Sequence, residues 1–224
     1  MKYALFLALV LPTLGTISAK ATTLMMDFQD SPHGGTVERS INGGGFSSYT
    51  VGLLRFIVNP GPNQYSYLTF CIEPLQSTTY DNVPYELQPL SQGATNIGGM
   101  GTTRANYVLE LLGRFYPTIN RPLSNTVAAA LQIALWEIIR ETSPTFDVYS
   151  GFVRFQNPSG ANMLTQAQTY LNALNGTGPR ASGIWALNNN TYQDVLFQTP
   201  EPTTYALIGT SLLGLAYLRR RKTK

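Results

Sequence analysis

Few residues in this chain have side chains suited to chemistry. Cys71 is the only cysteine and His33 the only histidine among 224 residues. A thiol can attack once deprotonated, pair with a second thiol, or pack as a small inert group. With no second cysteine, an internal disulfide is excluded. A Cys–His hydrolase arrangement needs His33, in a polar Gly-rich segment, to fold beside Cys71. Asp27, Asp30 and His33 recur three residues apart, which is sparse material for a metal site, and a polar N-terminal segment accounts for them as well. Glu73 stands two residues after Cys71. On a strand the two share a face, where the carboxylate can accept a proton or simply sit exposed. Gln132 is the one polar residue between Ala128 and Trp136. A buried amide must be hydrogen-bonded, and a neighbouring backbone would serve. No phosphate loop is present, and no spacing singles out a catalytic carboxylate pair. Asn175 and Asn189 open glycosylation-type triplets that we read as turns.

The elements that must position these residues follow from local pattern. Aromatic and β-branched runs at 49–58, 65–72 and 83–90 predict strands, the first two separated by the turn-forming Asn59-Pro60-Gly61-Pro62. Val108, Leu111, Leu112 and Phe115 share one face of a helix over 102–116, which Pro117 ends. The strongest helix pattern spans 124–141, with Ser124 or Asn125 as cap and Leu131, Ala134, Leu135 and Ile138 as core face. A third helix is expected over 161–174, closed by Asn175-Gly176. Residues 146–156 read as one or two strands, and 182–188 and 192–198 as the last two. Residues 22–50 read as polar and Gly-rich, with 42–48 a loop. The expected fold class is α+β: mainly antiparallel strands packed with about three helices.

Both ends of the chain carry targeting patterns. Lys2, the apolar run 4–10 and Ala19-Lys20-Ala21 make residues 1–21 a secretory signal for signal peptidase. The ectodomain is then 22–198, one domain long enough for a substantial core. The tail, 199–224, has three blocks: Pro200-Glu201-Pro202, an uncharged stretch 203–218, and the basic stop Arg219-Arg220-Arg221-Lys222. The uncharged stretch falls a little short of the ~20 residues of a comfortable membrane span, and its basic end should stay cytoplasmic. These residues resemble the PEP-CTERM sorting signal of Gram-negative bacteria. The resemblance implies recognition by an exosortase, transient anchorage in the inner membrane through 203–218, and a cell-surface or extracellular-matrix destination, often beside exopolysaccharide.

Export sharpens the question of Cys71, because exported cysteines usually come in pairs. The charge balance also needs correcting for the ends. Between residues 22 and 199 there are eight arginines, no lysine and 11 acids, a net of about −3. Such a domain has no nucleic-acid footprint.

Cys71-Ile72-Glu73 together with Gln132-Ile133-Ala134-Leu135-Trp136 resemble the two motifs of the thioester domain of bacterial surface adhesins. Leu131 stands where that family usually has threonine, and Leu135 where it commonly has isoleucine. The resemblance implies an internal thioester between Cys71 and Gln132, with Glu73, Ala134 and Trp136 in its pocket and Trp136 as shield. It implies covalent attachment to an amine- or hydroxyl-bearing surface partner or exopolysaccharide, with no cofactor and no enzymatic turnover. A lysine-free domain would then be unable to label itself, since arginine is too strongly protonated to attack. The alternative is a non-reactive structural or matrix surface protein in which Cys71 is buried and free.

Overall fold

The computed structural model describes residues 22–141 and 145–199. Its spine is β1 (Thr23–Ile41), which pairs on its two edges with β2 (Ser47–Val58), β4 (Val83–Pro89) and β5 (Val153–Gln156). β3 (Tyr65–Thr69) extends the sheet beyond β2, while β6 (Ile184–Asn188) and β7 (Val195–Gln198) extend it beyond β4. Every pairing is antiparallel. The sheet curls until its ends meet. Cys71 bridges Val195, with Leu196 N–H on the Phe70 carbonyl at 3.0 Å and Ile72 N–H on the Asp194 carbonyl at 2.9 Å. The result approaches a barrel.

β1 corrects the expectation for 22–50. Polar and Gly-rich composition points to irregular chain, yet residues 23–41 form the longest strand. Its regular alternation is hidden because the register shifts twice, between Phe28 and Asp30 and between Asp30 and His33. Across this irregular stretch the inward phase of β1 changes from even to odd positions. Met26 and Phe28 face the core before the shifts, and Val37 and Arg39 after them. Gly34 and Gly52 meet across the β1–β2 ladder at φ 148° and 138°. A Cβ on either would strike the opposite backbone, so the close crossing needs glycine on both strands. Only Asn42 to Phe46, the turn into β2, stays loop, as its glycines predict.

Three helices complete the fold: α1 (Gly101–Phe115), α2 (Asn125–Arg140) and α3 (Met163–Asn172). α2 begins at Ser124, whose Oγ accepts the Val127 N–H at 3.4 Å. From Ala128 to Ile139 it is buried on every side, against β1 and β2 on one flank and α1 and α3 on the others. A central helix apolar all round is the pattern expected of a helix wrapped by core. Two strand expectations shorten. Of 146–156 only 153–156 is strand, because Asp147 closes a turn through its Oδ1 on Tyr149 N–H at 3.0 Å and its carbonyl on Ser150 N–H at 3.1 Å. The 65–72 run is ladder only to Thr69, and this ending matters for the site.

Candidate functional site

Beyond Thr69 the chain leaves β2 and, among the strands, pairs only with β7. In the Cys71–Val195 bridge the hydrogen bonds come from residues 70 and 72, so the peptide groups of Cys71 itself point away from β7. No strand receives them. Gln132 of α2 does. Its Oε1 accepts the Cys71 N–H at 3.0 Å, and its Nε2 donates to the Cys71 carbonyl at 2.8 Å. One side-chain amide thus pairs both backbone groups of the cysteine, as a neighbouring strand would. Cys71 is 2% exposed and Gln132 1%. The two residues, 61 apart in sequence, are held in direct contact inside the core.

The sulfur is surrounded by weak donors. The Glu73 backbone N–H donates to Cys71 Sγ at 3.2 Å. The Trp136 indole N–H has no acceptor in regular hydrogen-bond geometry, yet it lies close enough to the sulfur to favour its thiolate. We count it as a weak N–H···S contact. Burial pushes the Cys71 thiol up to about 12, against these donors and the nearby Arg39 charge. At neutral pH the sulfur is therefore a protonated thiol.

Glu73 lies past the end of β3 rather than on it, so its side chain does not follow strand alternation. Its carboxylate is fully buried and turned to the 95–97 turn, accepting Thr95 Oγ1–H at 3.1 Å and Asn96 N–H at 2.5 Å. Asp194, also fully buried, shares this turn through Thr95 N–H at 2.9 Å and holds Asn189 N–H at 2.8 Å. Burial first, then the hydrogen bond and charge of Asp194, push the Glu73 carboxyl up to about 7. A group titrating there can give or take a proton near neutrality.

Trp136 shares the Gln132 side of α2, four residues on, and is 2% exposed. Ala134 is buried as well but, two residues on, is turned to another face of the helix. Glu137 faces away from Cys71, its Oε1 taking Asp147 N–H at 2.8 Å. His33 lies within β1, opposite Leu53. Asp30 is occupied by Arg55, which donates from Nε at 2.8 Å and from Nη2. Among the described residues no group of three or more His, Cys, Asp or Glu is placed to hold a metal.

Sequence reasoning missed two members of the site. Asp194 gave no signal, since a single acid at a strand start is ordinary. Arg39 did give one. It sits between Val37 and Ile41 on the inward phase of β1 and is 2% exposed, with its guanidinium carbon 4.7 Å from the Trp136 ring and 3.7 Å from the Tyr49 ring.

A family model described as the PEP-CTERM protein-sorting motif matches residues 198–222. No curated protein and no solved structure is matched by the chain. The motif marks an exported protein sorted by exosortase, with that enzyme as processing partner and transient membrane anchorage. It covers the tail alone and leaves the chemistry of the ectodomain to its own residues. Among the described residues no helix is long and apolar enough to cross a membrane. The secretory segment 1–21, the sorting residues Pro200, Glu201, Pro202, Arg219, Arg220 and Arg221, and the apolar stretch 203–218 lie outside the described residues.

Proposed function

We propose that the exported ectodomain is a covalent attachment module built on a thioester between Cys71 Sγ and Gln132 Cδ. The observation that carries this reading is the carboxamide of Gln132 held by two hydrogen bonds against Cys71, in a core that excludes water. In formation, the sulfur attacks Cδ as the thiol gives up its proton. The C–N bond then breaks, and the leaving nitrogen takes the proton as ammonia. Thiol and carboxamide become thioester and ammonia, with no oxidant needed. In use, an amine nitrogen of a surface partner attacks Cδ, the C–S bond breaks, and Sγ recovers a proton. A partner hydroxyl would give an ester in the same way. Water exclusion by Trp136 preserves the bond until a partner arrives, and the Arg39 charge favours sulfur as leaving group.

The experiment is amine trapping. The purified exported protein is treated with methylamine, alkylated and digested. The reading predicts a methylamide at Gln132 and an alkylated Cys71 in the same molecules. An unmodified Gln132 beside a Cys71 that alkylates only after denaturation would overturn it.

One observation favours a second reading. The same two hydrogen bonds pair the Cys71 N–H and carbonyl and give both polar atoms of the Gln132 amide a partner, which is reason enough for a glutamine there. On that reading the protein is a non-reactive surface or matrix component with a buried thiol.

A further inference from the structure

A groove of about 650 Å³ opens on the outer side of Trp136, between β1, β2 and the 74–80 loop. Trp136 and Arg39 line it, and both also act on the Cys71 sulfur, so they separate the groove from the buried site. Arg39 occupies the corner between the Tyr49 and Trp136 rings, which stand 84° apart. Among the described residues it has no ion-pair partner, and its Nη1 has no hydrogen-bond partner. A buried cation without a counter-charge is costly, and two aromatic faces offset only part of that cost. The groove supplies no anion of its own. Its one carboxylate, Asp30, already has both oxygens on Arg55.

A second group in the groove is unsatisfied. Gln76 Nε2 donates to the Asn190 carbonyl at 3.3 Å, which fixes the amide and leaves the buried Oε1 without a donor. The walls of the groove therefore hold, beneath its surface, one cationic donor and one acceptor without partners. Tyr80, 75% exposed, offers a flat ring on the same wall. A ligand that satisfies all three carries a carboxylate, a hydroxyl and an apolar ring face. The guanidinium fork suits a carboxylate, and the hydroxyl can donate to Gln76.

We propose that this groove binds an acidic saccharide, with Arg39 holding a uronate carboxylate, Gln76 accepting from a ring hydroxyl, and Tyr80 stacking on the sugar. The partly exposed Tyr49 ring lies over the guanidinium, so on this proposal the carboxylate reaches Arg39 by displacing that ring. The saccharide would then be the partner delivered to the Cys71–Gln132 site. That consequence rests on the covalent reading, whereas reversible binding does not.

The test is calorimetric titration of the exported protein and its Cys71→Ala variant with galacturonate oligosaccharides, their methyl esters and polyglutamate. Cys71→Ala, which cannot form the bond, should still bind the saccharide reversibly, and binding should be about tenfold or more weaker for the esters. Arg39→Gln should lose about tenfold or more, and Tyr80→Ala, at an exposed position where the ring packs only on the edge of the core at Phe28, several-fold. Equal binding of acid and ester, no binding, or wild-type affinity in folded Tyr80→Ala would overturn the proposal. Tighter binding of polyglutamate would assign the groove to an acidic protein and overturn it equally. Absence of the thioester with saccharide binding intact would sink the covalent reading alone.

Discussion

In the carboxamide form Gln132 has a structural job whose energetics stand apart from the chemistry proposed for it. As a structural group it pairs a peptide that no strand reaches, and removing it leaves a buried donor and a buried acceptor unsatisfied. Each such group costs ~1–3 kcal/mol. Gln132→Leu is therefore expected to lower stability by about 2–5 kcal/mol, read from urea midpoints. Gln132→Glu keeps an acceptor for the Cys71 N–H but brings an acid into an apolar core, and it can release no ammonia. It is expected to leave Cys71 as a free thiol that alkylates on unfolding. At this scale the sequence was informative but incomplete. Cys71 and Gln132 were legible because each is the odd residue in its setting. Arg39 was legible in principle, as a charge on the inward phase of a strand. It went unread because the register shifts concealed that strand. Asp194 and the turn that holds Glu73 depend on where the sheet closes, and no local pattern encodes closure.

The helix α2 and the strand β1 decide how the site is held. α2 carries Glu137, which is fully buried, and burial pushes its carboxyl up to about 8 from an ordinary value of 4.5. An acid whose folded pKa is raised holds its proton more tightly in the native state. Its stabilising contribution is complete below about 4.5 and is lost as pH rises through about 8. Glu73, raised to about 7, has the same sign. Urea midpoints should therefore fall across this window, and Glu137→Gln, which keeps the acceptor for Asp147, should flatten the fall. A slope unchanged in that variant would show that Glu137 ionises freely in the folded protein. In β1 the glycine crossing makes a sharper demand. Gly52→Ala places a methyl against the His33 carbonyl at a φ that alanine rarely adopts, so thermal melting should show a loss of about 2–4 kcal/mol. Gly45→Ala, in open space on the neighbouring turn, should change stability by less than about 0.5 kcal/mol. The helices were legible in the sequence because their 3.6-residue period is uninterrupted. β1 was not, because two register shifts break a period of 2.

At the scale of the whole molecule, sorting and chemistry are carried by separate parts of the chain. The motif at 198–222 marks the chain for exosortase sorting, while the candidate site is built entirely from the 22–199 core. Replacing Arg219, Arg220 and Arg221 by neutral residues is expected to leave the protein unprocessed without altering the fold. Cell fractionation reads the first effect and circular dichroism of detergent extracts the second. The lysine-free composition of 22–199 fits a core that stores an electrophile, since arginine is not an effective amine nucleophile at neutral pH. The central claim is the bond itself. Its most direct measurement is the intact mass of the exported protein, purified without reductant or amine buffers, against a Cys71→Ala variant processed identically. Relative to its own sequence the native protein should be lighter than that reference by one ammonia, and methylamine should add its full mass. Two proteins that each match their sequences, with Cys71 titrating as a thiol after denaturation, would contradict the account.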